Sequence, residues 1–217
     1  MDTCAFNTTR PQDLLVPNLS PGERRARIEA LYLKYGMPLR YYLLKSGCAP
    51  NADEAEELAH AFFARVCETQ ILEGYRREGR FRAYLKTAVR NFALQQRARD
   101  LVARHAEDVV ASRLDFEFDA WWVGNLMEQA YERLERLLVN RGELKTWQLL
   151  KAADRNRGHH PTYQELAGNF SMSLAEVSQA LRRARGILQG IVNLLVGETC
   201  STPEAHGEEL HFVRHQP

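Results

Sequence analysis

The sequence predicts an all-α protein built from two helical domains joined by a linker. Three observations carry that expectation. Apolar residues recur with the 3.6-residue helical period along most of the chain, alternating β-branched runs between turn residues are nearly absent, and several periodic stretches open on a capping-box signature. With 217 residues, 45% of them apolar, the chain can fill one large domain or two of about 100 residues each.

Residues 1–20 hold Pro11 and Pro17 and no lasting periodicity, which predicts a flexible arm. A first domain is expected over 21–100. Its helical pattern begins at Glu23 with Ile28, Leu31, Tyr35, Leu39 and Tyr42 or Leu43, and Gly47 and Pro50 end it. A second helix opens at Asp53, with Glu56 at the spacing of a capping box, and carries Ala55, Leu58, Ala59, Phe62 and Val66 on one face. The basic loop EGYRREGR then leads into FRAYLKTAVRNFALQQRARD, residues 81–100. There Phe81, Tyr84, Leu85, Ala88, Val89 and Phe92 mark a buried stripe, and Arg82, Lys86, Arg90 and Arg97 are expected along the other side.

From Leu101 to about Asp119 the periodicity weakens, so residues 101–121 read as an acidic linker. A second domain is expected over 122–195, starting with Trp122, Leu126, Ala130, Leu134 and Leu137 and resuming from Leu144 to Ala153. Trp121 and Trp122 are expected to pack there, the alternative being that one of them seals the two domains together in an inhibited state. Thr162 with Glu165 and Ser173 with Glu176 then form two capping boxes separated by the short NFSM turn, which is the outline of a helix-turn-helix. The longer second helix has Leu174, Val177, Leu181, Ala184 and Leu188 on its inner face. Ser171 stands where such a turn favours glycine for a left-handed conformation. Residues 196–217 read as a C-terminal tail.

The net charge of +1 hides segregation along the chain. Tyr75 to Arg104 holds nine bases against two acids, whereas His105 to Lys145 holds nine acids against five bases. A local excess of that size favours a polyanionic partner. Cys4, Cys48, Cys67 and Cys200 lie far apart with no CxxC pair, which points to reduced thiols and a cytoplasmic location. His206, His211 and His215 with Cys200 lack zinc-site spacing and read as solvated residues. No glycine-rich phosphate loop, HExxH or GxSxG is present, so no enzyme, metal or cofactor is expected.

Two nucleic-acid signals remain. In the helix-turn-helix, Ser173, Ala175, Glu176, Ser178 and Gln179 sit where a recognition helix meets base edges, with Arg182, Arg183 and Arg185 suited to phosphates. In the basic segment, Tyr75 and Tyr84 among arginines suit unpaired bases, which stack on aromatic rings while a cationic groove tracks the backbone.

That pairing resembles bacterial sigma factors of the extracytoplasmic-function type, in the subset with a short C-terminal tail. DEAEELAHAFFARV (53–66) is similar to region 2.2, GRFRAYLKTAVRNFALQQRARD (79–100) to regions 2.3 and 2.4, and TYQELAGNFSMSLAEVSQALRRARGIL (162–188) to region 4.2. FDAWWVGNLMEQAYERL (118–134) and LLVGETCSTPEAHGEEL (194–210) are similar to the tailed subset. Glu57, His60, Gln95 and Ser171 depart from the pattern.

The resemblance implies partners: core RNA polymerase, through its β′ clamp and β flap, promoter DNA and, as a further option, an anti-sigma factor. It implies that Glu57, His60, Phe63 and Arg65 dock on the clamp. Tyr75, Arg76, Arg77, Arg80, Phe81, Tyr84, Lys86, Arg90, Asn91 and Arg97 would hold the opened −10 strand. The recognition-helix residues would read the −35 element, and the linker would thread toward the RNA exit path. The rival readings are a sigma mimic that binds an anti-sigma factor and a stand-alone helix-turn-helix regulator.

Overall fold

The computed structural model describes residues 20–68, 81–99, 107–154, 161–200 and 202–215. Eight helices form among them, and no strand: α1 (Pro21–Lys45), α2 (Ala52–Glu68), α3 (Phe81–Arg99), α4 (Glu107–Asn140), α5 (Leu144–Asp154), α6 (Tyr163–Phe170), α7 (Leu174–Gly197) and α8 (Pro203–Arg214). The described residues are all-α, as the periodicity predicts. No described helix is long and apolar enough to cross a membrane.

Helix boundaries follow local chemistry. Ser20 caps α1 in a reciprocal box with Glu23, and Pro21 occupies the first turn, where its missing N–H costs nothing. Gly47, at φ 70°, lets the Cys48 N–H reach back to the Leu43 carbonyl at 3.0 Å and ends the helix. α2 starts two residues earlier than the Asp53–Glu56 spacing predicts. Asn51 Oδ1 accepts the Glu54 N–H at 2.9 Å, and the Asn51 amide donates to the Glu54 carboxylate at 3.1 Å. The stretch expected as a linker is helical from Glu107 onward, and the expected tail contains α8.

Two compact units divide the chain: residues 1–126 with 196–217, and residues 127–195. In the first, Leu31, Tyr35, Leu39 and Leu43 of α1 are buried, as are Phe62, Phe63 and Val66 of α2, Phe81, Leu85 and Val89 of α3, and Phe118 and Trp122 of α4. Aromatic edges set the packing, with ring centroids 5.6 Å apart for Tyr35–Phe81 and 5.3 Å for Phe62–Phe92. Trp121 stacks on Tyr41 at 4.4 Å, so both tryptophans expected in the second domain belong to the first unit.

The second unit buries Ala130, Leu134 and Leu138 of α4, Trp147, Leu149 and Leu150 of α5, Leu166 of α6, and Val177, Leu181, Ala184 and Leu188 of α7. Each such large side chain contributes roughly 1.5–3 kcal/mol by leaving water. Leu174, expected on the inner face, is instead 55% exposed, because it opens α7 beyond the reach of the packed turns.

Candidate nucleic-acid interface

The α6–α7 pair is assembled by three local devices. Thr162 caps α6 reciprocally with Glu165. Ser171 adopts the left-handed conformation, φ 48° and ψ 56°, and turns the chain. Ser173 then caps α7: its backbone N–H and hydroxyl both donate to the Glu176 carboxylate at 2.8 Å, and the Glu176 N–H returns a bond to the Ser173 hydroxyl at 3.2 Å. Those bonds, the backbone one foremost, hold the Glu176 carboxyl below its ordinary pKa. A carboxylate already engaged this way has less to offer a base edge.

Beyond the cap, Ala175, Gln179, Arg182 and Arg183 are exposed, and Ser178 and Arg185 are half-buried. The three arginines differ. Arg183 pairs with Glu143 at the start of α5, and Arg185 pairs with Asp154 at its end, with Nε–Oδ2 at 3.2 Å. The Asp154 hydrogen bond pushes the Arg185 pKa up. Arg182 makes no ion pair with a described residue and lines a depression with Tyr163, Ser178, Arg185, Gly186 and Gln189. Two guanidiniums beside polar side chains, one of them oriented by a carboxylate, suit a phosphate.

Tyr75, Arg76, Arg77 and Arg80 lie outside the described residues, as does the side chain of Arg97. Phe81 is 1% exposed and packs in the core, so it is not a surface for a base. Tyr84 is half-buried, and burial raises its phenol pKa. Asn91 is exposed, and Lys86 and Arg90 are half-buried. The expected polymerase-facing residues divide likewise. Glu57, His60 and Arg65 are exposed on α2, His60 stacking on Tyr32 at 4.4 Å and Arg65 donating to Gln95 at 3.3 Å. Phe63 is buried and has no surface to offer a partner.

Arg82 is the largest departure. It was expected on a solvated stripe but is 4% exposed. Its guanidinium donates to both Glu209 carboxylate oxygens of α8, with Nε–Oε1 at 3.1 Å and Nη2–Oε2 at 2.9 Å, and also pairs with Asp119 of α4. Its flat faces lie 5.0 Å from the Trp122 ring centroid and 4.1 Å from that of Phe212. Burial opposes the charge, but the Glu209 hydrogen bonds and both carboxylates outweigh it, and the pKa is raised. Lys86, one turn on, donates to the other Asp119 oxygen at 2.9 Å. A helical wheel contains part of the signal: at about 100° per residue, Arg82 lies only about 20° from Val89, at the edge of the buried face. Nothing local to Arg82 names Glu209, 127 residues away.

No protein-family model, no curated protein and no solved structure matches this chain.

Proposed function

We propose that the chain is a sigma factor of the extracytoplasmic-function type, which binds bacterial core RNA polymerase, recognises −35 and −10 promoter elements and assists promoter melting in the cytoplasm. The observation that carries the reading is the α6–α7 pair. Two capped helices meet at a left-handed Ser171, and Ala175, Gln179 and Arg182 stand exposed on the early turns of α7. The basic run from Tyr75 to Arg104 supports the second half of the reading, because capture of unpaired bases favours opened DNA without a chemical energy source. In this reading α7 enters the −35 major groove, and Tyr84, Asn91 and the basic residues before and along α3 hold the −10 strand. Glu57, His60 and Arg65 contact the polymerase clamp.

Retention of the purified chain on core RNA polymerase, followed by run-off transcription from genomic fragments, tests this. Stable retention with new transcripts is expected. Loss of retention would sink the proposal. A stand-alone regulator is favoured by one feature, that α6, the Ser171 turn and the early turns of α7 all lie within the second unit. It requires tight operator binding without polymerase.

A further inference from the structure

The face of α3 that turns toward α4 and α8 is neutralised from within the chain. Arg82 and Lys86 supply two cations, and Asp119 and Glu209 two carboxylates. α3 itself carries no acid from Phe81 to Arg99, so both carboxylates come from elsewhere in the sequence. They differ in how firmly they are fixed. Asp119 lies one residue from Phe118 and three from Trp122, both fully buried, so it is built into the core of the first unit. Glu209 rides on α8, whose only buried residues are Ala205 and Glu209.

The segment before α8 is anchored separately. Glu198 pairs with Lys34 at 2.9 Å in a nearly buried site, and Thr199 and Cys200 are buried. The Lys34–Glu198 pair is made outside α8, so displacing α8 need not break it. Release would leave two cations facing one carboxylate and would lift the Phe212 ring off the Arg82 guanidinium. A guanidinium that binds a carboxylate with two N–H groups binds a phosphate the same way.

We infer that α8 is a displaceable latch in which the Glu209 carboxylate occupies the place of a nucleic-acid phosphate on Arg82, so that a single strand and α8 compete for one face of α3. This rests on the single-strand role proposed above for the first unit. α8 thereby limits strand binding by the free protein, and a strand held firmly on α3 displaces α8.

The test uses the full chain and a fluorescein-labelled, adenine- and thymine-rich single strand of about 12 nucleotides. Glu209→Gln should bind it about tenfold more tightly than the parent chain. A chain ending after Cys200 should do the same, and adding Arg82→Ala to Glu209→Gln should abolish the gain. Hydrogen exchange on the unmodified protein supplies a measurement that needs no variant: the α8 amides should lose protection when the strand is saturating. Equal affinity of parent and Glu209→Gln, or α8 amides that stay protected with the strand bound, overturns the latch. So does the absence of strand binding by every chain. Polymerase retention is read independently, so a failed latch and a failed sigma reading give different results.

Discussion

The side-chain amide of Asn125 on α4 donates to the Lys34 main-chain oxygen on α1 at 2.8 Å, and to that of Leu33 at 3.0 Å. The pairing has a sequence cause. Pro38 lies inside α1, four residues after Lys34, and has no N–H to close the helical hydrogen bond there. Asn125 supplies the donor that proline lacks, and so ties α4 to the kink-prone turn of α1.

Asn125→Ala is therefore expected to cost about 1–2 kcal/mol in urea unfolding, the usual penalty for removing one partner from a partly buried polar group. Pro38→Ala restores the local donor. In that background the Asn125→Ala penalty should fall by about half, a coupling that a double-mutant cycle reads directly. Equal penalties in both backgrounds would show that Asn125 acts by packing alone.

Ser171 is the only described non-glycine residue at positive φ. A left-handed conformation costs an L-residue about 1–2 kcal/mol, and glycine's greater unfolded freedom offsets part of the relief. Ser171→Gly should stabilise the second unit by about 0.5–1 kcal/mol in thermal unfolding, whereas Ser171→Val should destabilise it. Affinity for duplex DNA should change little in Ser171→Gly, since the left-handed turn is retained.

Glu176 makes the start of α7 pH-dependent. Its folded pKa lies below the ordinary 4.5, held down first by the Ser173 backbone hydrogen bond and then by the Ser173 hydroxyl. A depressed carboxyl stabilises the fold above its unfolded pKa and loses that contribution as pH falls through the folded value. The stability gap between the parent chain and Glu176→Gln should thus be constant near neutrality and close progressively below pH 4.5. Guanidinium titrations at several pH values measure it.

Arg182 and Arg183, adjacent in sequence, should behave differently on duplex DNA. Arg182 makes no ion pair with a described residue, while Arg183 must first leave Glu143. Arg182→Ala should lower the slope of log affinity against log salt by about 1. Arg183→Ala should lower it less. Fluorescence anisotropy across a salt series separates the two, and an unchanged slope for Arg182→Ala would remove it from the proposed DNA-binding surface.

What is settled within a few residues of chain was legible from the residues alone. Helical period, the boxes at Thr162 and Ser173, the glycine-demanding place of Ser171 and the stop at Gly47 are all local, because backbone hydrogen bonds and caps are made three to five residues apart. The cap of α2 lies at Asn51, two residues before the expected Asp53, because the Asn51 side chain accepts the Glu54 N–H in the folded backbone. Tertiary structure alone decided which charges stay in water. Arg82, Lys86 and Arg90 share one spacing, yet Arg82 is buried because α4 and α8 bring Asp119 and Glu209 to it. A charge enters a core only with its counter-charges, and those lie 37 and 127 residues away, beyond any local pattern.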